Sequence, residues 1–124
     1  MVNRGKQVGY EMSFAADRRR EKLALAVFTR SDKWPKVRKE FLKTHDHCEV
    51  CGTTKKPNVH HVLPFQWYPE LELDNDNFIT LCEGGGQHHL LFGHLTSWVS
   101  YNESVRVDAA AWAEKIKNRP KWKR

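Results

Sequence analysis

The sequence contains no apolar run that could cross a membrane. A membrane-spanning helix needs about 20 mostly apolar residues, whereas the longest apolar run extends only from Leu23 to Phe28. Arg4 and Lys6 lie near the N-terminus, but no apolar stretch follows them, so a secretion signal is not predicted. These two absences predict a cytoplasmic protein without a membrane partner.

Cysteine is also scarce, with three residues among 124. Three cysteines cannot all pair, and two of them form the sequence Cys48-x-x-Cys51, a spacing that is typical of metal ligands. Disulfides are rare in reducing compartments, so this spacing in a chain without a secretion signal favours a bound metal over a disulfide framework. The length corresponds to one short domain.

The two signs of charge are unevenly distributed along the chain, whose net charge is +6. Residues 1–44 contain 12 Lys and Arg against 5 Asp and Glu, residues 45–105 contain 2 against 8, and residues 106–124 contain 7 against 2. Basic flanks are typical of contacts with phosphate groups, and an acidic centre attracts cations. Solvated helices beside a neutral core would give the same pattern, so charge alone does not decide between the two.

Helical and extended segments alternate along the chain. We expect residues 1–14 to form a flexible basic arm and residues 15–124 to form a single domain. A predicted amphipathic helix from Ala15 to about Arg30 exposes three basic residues, Arg18, Arg19 and Arg20. The later predicted elements are a helix from Pro35 to Leu42, strands over Val59–Leu63 and Phe78–Leu81, a helix over His88–Trp98, and a helix over Ala109–Lys117 that Asp108 caps.

Seven histidines and three cysteines are many potential metal ligands for so short a chain. A structural zinc site needs four ligands in a closed tetrahedral arrangement. Cys48 and Cys51 supply two ligands, Cys82 lies at the end of the second predicted strand, and His88 is the first candidate for the fourth. We therefore predict a structural zinc ion at these four residues.

Four further histidines are not needed by that zinc ion. Neighbouring residues of a strand point to opposite faces, so His60 and His61 cannot both face one ion. His89 and His94 lie on one predicted helix, five residues apart, whereas helical neighbours are four apart. Gly93 would permit the slight distortion that this spacing requires. One histidine from the strand and two from the helix form a predicted cation site.

Four segments of the chain follow one another in a specific order and spacing. They are His60-His61-Val62-Leu63-Pro64, Pro69-Glu70-Leu71, Asp76-Asn77-Phe78-Ile79-Thr80-Leu81-Cys82 and His88-His89-Leu90-Leu91-Phe92-Gly93-His94-Leu95. Together they resemble the HNH endonucleases, which are metal-dependent nucleases built on a ββα-metal, or His-Me finger, core. The resemblance covers about residues 48–105.

The resemblance implies a role for each histidine of this region. In the family, the first histidine of such a pair binds a divalent cation and the second is the general base, which assigns these roles to His60 and His61. The family's central asparagine corresponds to Asn77, which braces the loop that holds the base. The helix ligand corresponds to His89, and a further ligand that some members have corresponds to His94.

The resemblance also implies a fold, cofactors and partners. The expected fold is an α+β domain in which a zinc-stapled ββα-metal core is flanked by N- and C-terminal helices. Most zinc-containing relatives have a cysteine where this chain has His88, so the implied zinc set is three cysteines and one histidine. The implied partner is double-stranded DNA, in a bacterial or phage-infected cell. The basic side of the first predicted helix, with Arg18, Arg19 and Arg20, is the expected contact with its phosphates. The catalytic cation would be Mg²⁺, Mn²⁺ or Ni²⁺.

The function expected from the sequence is therefore a DNA endonuclease that hydrolyses phosphodiester bonds, by nicking or by double-strand cleavage. Two alternatives stay open. One is a non-catalytic, zinc-dependent nucleic-acid-binding module, and the other is a nuclease subunit that is active only with a partner, such as a phage packaging complex. A pure binding module needs neither His61 nor Asn77, which favours the enzyme. A protein partner or a dimer is compatible with the resemblance.

Overall fold

The computed structural model describes residues 30–122, in which two helices and a two-stranded sheet form an α+β arrangement. Helix α1 extends over Trp34–Thr44, strands β1 and β2 over Pro57–His61 and Phe78–Cys82, one π-helical turn over His89–Gly93, and helix α2 over Val105–Lys117. This mixture confirms the α+β class. The predicted arm 1–14, the predicted first helix and its residues Arg18, Arg19 and Arg20 lie outside the described residues.

The sheet is an antiparallel pair with a fixed register. His60 lies opposite Ile79, and His61 lies opposite Phe78. Because side chains alternate across a strand, the two histidines project from opposite faces of the sheet. Every residue of β2 is buried, so both faces of this strand are covered by the protein.

Each face of the sheet packs against a different helix. On one face, Phe78 packs in a buried cluster with Phe41 of α1. On the other face, Leu81 packs in a second buried cluster with Val105 and Ala109 of α2. His61 therefore lies on the α1 side of the sheet and His60 on the α2 side.

Strand β1 and helix α2 differ from their predicted bounds. Strand β1 begins at Pro57 and ends at His61, because the N–H of Leu63 donates to the side-chain oxygen of Asn77 (3.0 Å) instead of continuing the ladder. Helix α2 begins at Val105, so Asp108 lies in its first turn rather than at its cap. The Asp108 carboxylate instead accepts a hydrogen bond from the side-chain amide of Asn102 (2.8 Å).

The predicted helix His88–Trp98 is wrong in its length. The regular part is one π-helical turn that ends at Gly93, because Leu95 and Thr96 have φ of 52° and 70°. Left-handed residues cannot continue a right-handed helix. Among the described residues, no helix is long and apolar enough to cross a membrane.

Candidate functional site

The first candidate ligands come from a tight turn between α1 and β1. The carbonyl of Cys48 accepts a hydrogen bond from the N–H of Gly52 (2.8 Å), and Gly52 has a φ of 77°, a conformation that glycine adopts without a steric cost. The N–H of Val50 points at the Cys48 sulfur at 3.4 Å. This contact helps to fix the position of the Cys48 sulfur in the turn.

Four donors converge where this turn meets the end of β2, and we call them the thiol group: Cys48, Cys51, Cys82 and His88. His88 Nδ1 lies 3.6 Å from the Cys48 sulfur and 3.4 Å from the Cys82 sulfur, and the Cys51 and Cys82 sulfurs are 4.0 Å apart. A tetrahedral zinc ion with ordinary bond lengths separates two sulfurs by about 3.8 Å and a sulfur from a nitrogen by about 3.5 Å. The thiol group therefore can hold a metal ion such as zinc.

Two donors of the thiol group would meet a cation in different protonation states. The three cysteines are unpaired. Partial loss of hydration, reinforced by the neighbouring thiols, raises the pKa of Cys51 to about 11, and burial lowers the pKa of His88. Cys51 therefore holds its proton at neutral pH unless a cation displaces it, while His88 already has the neutral form that ligates metals.

A second set of donors lies on the α2 side of the sheet, and we call it the histidine group: His60, His89 and His94. His60 Nδ1 lies 3.1 Å from His89 Nε2, and the three ring centroids are 4.8–4.9 Å apart. Two nitrogens bound to one ion at about 2.1 Å lie roughly 3.0–3.4 Å apart. The spacing therefore matches a shared cation.

The π-helical turn brings His89 and His94 together. Five residues separate them, which is more than one α-helical turn, and the wider π turn returns His94 to the side of His89. Gly93, which ends the turn, leaves room for the His60 ring, since a Cβ atom there would lie 2.8 Å from His60 Cε1. The distortion expected from the sequence is present as this π turn.

Hydrogen bonds orient two rings of the histidine group through their Nδ1 atoms. His89 Nδ1 donates to the Glu83 carboxylate (2.8 Å), and His94 Nδ1 donates to the carbonyl of Ser100 (2.7 Å). Both bonds leave Nε2 with its lone pair toward the group, an arrangement that is typical of metal-ligating histidines. Asn58 donates a second hydrogen bond to Glu83 (2.7 Å).

Burial favours the neutral form of two rings of the histidine group, those of His60 and His89. Burial, together with His89 and His94, lowers the pKa of His60 to about 2, and burial also lowers the pKa of His89. Partial burial raises the pKa of Glu83, but the bonds from His89 and Asn58 outweigh this effect, so the pKa lies below its ordinary value. Among the described residues, His60 Nε2 is a buried nitrogen without a hydrogen-bond partner, whereas His60 Nδ1 is the atom that faces His89.

His61 lies on the other side of β1 and belongs to neither group. Its Nε2 donates to the carbonyl of Glu72 (2.8 Å), and its ring packs 4.6 Å from the Trp34 ring and 5.1 Å from the Phe78 ring. Burial lowers the pKa of His61 to about 4, although the Glu72 carbonyl opposes this shift. The ring is therefore neutral at pH 7, with its proton on Nε2 and a lone pair on Nδ1.

Asn77 holds the loop that carries this carbonyl. Its amide donates to the carbonyls of Leu63 (3.0 Å) and Leu71 (3.3 Å), and its oxygen accepts from the N–H of Leu63. These bonds tie the end of β1 to the segment next to Glu72, which contacts His61. Asn77 is itself buried, so the tie is protected from water.

His61 and the histidine group line one cleft of about 530 Å³. Two of its other lining residues, Arg30 and Arg38, are basic, and none of the described residues that line it is Asp or Glu. The Arg30 guanidinium lies over the Phe65 ring at 4.2 Å and the Trp34 ring at 5.0 Å. The cleft therefore suits an anionic group beside the histidines.

Several residues of this site carry no recognisable motif. Glu83 follows Cys82 directly, and the one signal for its role is a carboxylate placed six residues before His89. Arg30 lies just before α1 and Arg38 lies on α1, and both line the cleft although they are far in sequence from every motif.

Comparisons with family models, with curated proteins and with solved structures return no match.

Proposed function

We propose that the chain is a metal-dependent DNA endonuclease of the HNH type. In this proposal β1, β2 and the π turn form the ββα-metal core, the thiol group holds structural zinc, and the histidine group holds a catalytic divalent cation such as Mg²⁺, Mn²⁺ or Ni²⁺. The observation that supports the proposal is the shared cleft: a neutral histidine and three histidines whose spacing fits a cation line one cavity, and none of the described lining residues is Asp or Glu.

The proposed base is His61. Its Nε2 is committed to the Glu72 carbonyl, so Nδ1 accepts the proton of a water molecule. The oxygen of that water forms a bond to phosphorus while the bond from phosphorus to the 3′ oxygen breaks. The leaving 3′ oxygen takes a proton from a second water molecule, so the products are a 5′-phosphate and a 3′-hydroxyl. As the ring gains a proton, the hydrogen bond to Glu72 strengthens and holds the charged ring in place.

The other residues bind and orient the scissile phosphate. A divalent cation, when bound, stabilises the negative charge that develops on the leaving oxygen. His60, His89 and His94 would hold it on the opposite side of β1 from the base. Arg30 lies over two aromatic rings and pairs with the Glu72 carboxylate at 3.8 Å, and a further N–H of its guanidinium would donate to a phosphate oxygen.

Plasmid cleavage with purified protein tests this proposal. We expect nicking or linearisation with Mg²⁺, Mn²⁺ or Ni²⁺ and none after removal of the added cation. His61→Ala should bind DNA and cations as the parent does, while its turnover falls by about 10²–10⁴-fold, the usual contribution of a positioned base. His60→Ala and His89→Ala should instead lose cation affinity, and higher cation concentrations should restore part of their rate.

An exposed histidine outside both groups provides the matched control. His47→Ala should cleave at the parental rate, because this side chain contacts the neighbouring Asp46 and does not line the cleft. A His61→Ala protein that cleaves at the parental rate would remove the base assignment. A parent that binds DNA but never cleaves it, with any of the three cations, would favour the non-catalytic binding module or a subunit that requires a partner.

A further inference from the structure

The rim of the cleft carries a large exposed aromatic side chain beside the histidine group. Trp98 is 57% exposed, and its ring centroid lies 4.8 Å from that of His94 and 5.2 Å from that of His89. The next residue, Val99, is 95% exposed. Two adjacent apolar side chains at the rim of the cleft are therefore accessible to a ligand that enters it.

The backbone that presents Trp98 is held in a strained conformation. Leu95 and Thr96 both have positive φ, which is uncommon for a leucine and a true outlier for a β-branched threonine. The N–H of Thr96 donates to the carbonyl of Leu90 (2.9 Å). Strain of this kind persists only where the surrounding structure fixes it, and it clusters at functional sites. The backbone at Leu95 and Thr96 therefore holds the Trp98 side chain at the surface.

The charge of the cleft indicates what the ring meets. Residues 45–105 carry a large excess of acidic residues, yet none of the described residues that line the cleft is acidic, and Arg30 and Arg38 face it. Basic side chains and an exposed aromatic ring along one groove are the combination by which proteins bind single-stranded nucleic acid, since phosphates meet the cations and bases stack on the rings.

We propose that Trp98 is a stacking platform for an unpaired base, and that the strand enters the cleft with its backbone against the histidine group. The class of DNA that fits best is then single-stranded or locally unpaired at the cleavage point. The statement about cleavage rests on the proposed function, whereas the binding surface does not. Because Trp98 contacts two rings of the histidine group, the stacked base belongs to a nucleotide next to the bound phosphate.

The test measures binding without cleavage, in full-length His61→Ala protein and without added divalent cation. The probe is a short single-stranded oligothymidylate, and its partner is a strand of equal length in which abasic sites replace the bases. Adding Trp98→Ala should weaken binding of the oligothymidylate by roughly 5- to 100-fold. Binding of the abasic strand should be unchanged, because the ring contributes affinity only where a base stacks on it. Trp98→Phe should retain part of the affinity.

Trp112 provides the matched control. It is 46% exposed on α2, contacts Phe92 and does not line the cleft. Trp112→Ala should therefore bind both strands as the parent does. If Trp98→Ala weakens binding of both strands equally, or weakens binding of neither, Trp98 is not a stacking platform.

Two further results would also overturn it. If Trp98→Ala weakens binding of a fully paired duplex more than binding of the single strand, the ring acts as a wedge in duplex DNA. If Trp98→Ala lowers cation affinity in calorimetry, the ring is a cover for the histidine group. A parent that never cleaves, but binds oligothymidylate through Trp98, would contradict the nuclease proposal and leave the platform standing.

Discussion

The thiol group takes its donors from the turn before β1, the end of β2 and the residue that precedes the π turn, whereas the histidine group takes its donors from β1 and from the π turn and the residue after it. The two groups also differ in what surrounds them. The thiol group has four donors, and Cys48 and Cys82 are almost completely buried. The histidine group has three donors and lines an open cleft. Four donors close a tetrahedral site, whereas three leave a position for water or substrate. The comparison supports the proposal of a structural ion at the first group and a catalytic ion at the second.

The two groups meet at a single peptide bond. His88 belongs to the thiol group and His89 to the histidine group, so the start of the π turn fixes both rings. A metal at the thiol group would therefore also orient His89. The reverse effect should be smaller, because an ion at the histidine group would have no ligand in the turn at Cys48–Gly52.

The largest effect should come from the thiol group. Cys82→Ser removes one of four donors, and structural zinc contributes about 10–16 kcal/mol to the folding of small domains, as much as the whole stability of an ordinary domain. We expect the variant to lose its cooperative thermal transition and its bound zinc. Circular dichroism during heating and elemental analysis of the purified protein measure both.

The matched variant in the other group is His89→Ala. It should retain one zinc ion and a cooperative transition, because the thiol group is intact. If the two variants melt alike, at the parental temperature and with zinc retained, the thiol group is not what stabilises this fold. If both lose the transition, the two groups form one folding unit and the comparison above is wrong.

The sequence was informative where ligand position depends on local geometry. The spacing Cys48-x-x-Cys51 needs only a tight turn, and the opposite faces of His60 and His61 follow from the period of a strand. The position of Cys82 at the end of β2, with His88 six residues later, follows if β2 ends where its run of apolar and β-branched residues ends. These features were predicted because each depends on residues that are close in sequence.

The remaining features depend on packing between distant segments. The predicted helix over His88–Trp98 was too long, because Leu95 and Thr96 adopt left-handed conformations for which neither residue type has a preference. The carbonyl partner of His61 belongs to Glu72, eleven residues away. Arg30 reaches the cleft only because α1 packs on β1. Composition and periodicity contain no signal for such contacts.

Substitution of two glycines would disturb the thiol group and the histidine group separately. A Cβ atom on Gly86 would lie 2.6 Å from His88 Cε1, and one on Gly93 would lie 2.8 Å from His60 Cε1. Forcing a ring aside costs about 1–3 kcal/mol, which corresponds to roughly 5- to 150-fold in metal affinity. Gly86→Ala should weaken zinc binding and lower the melting temperature, and Gly93→Ala should weaken only the added divalent cation.

Gly85→Ala is the control for this pair, because a Cβ atom there would meet nothing within 4 Å. Competition with a chelator measures zinc affinity, and calorimetric titration measures the affinity for Mn²⁺. If Gly93→Ala weakens zinc, or Gly86→Ala weakens Mn²⁺ alone, the assignment of the two groups to two ions is reversed or merged.

The smallest effect should come from a residue that touches no ion. Glu83 orients His89 through one hydrogen bond and is itself held by Asn58. Removing such an outer partner costs about 10- to 100-fold in metal affinity. We expect Glu83→Ala near the upper end, because it removes both charge and acceptor, and Glu83→Gln near the lower end, because it keeps an acceptor for the imidazole N–H. Calorimetric titration of Mn²⁺ measures both.

Glu40→Gln is the control, since Glu40 lies on the exposed face of α1 in an ion pair with Lys43. It should bind Mn²⁺ as the parent does. Zinc content and melting temperature should be unchanged in both Glu83 variants, because Glu83 donates no ligand to the thiol group. If they instead lose zinc and keep Mn²⁺ affinity, Glu83 stabilises the end of β2 at Cys82 rather than the ring of His89, and the carboxylate belongs to the structural group.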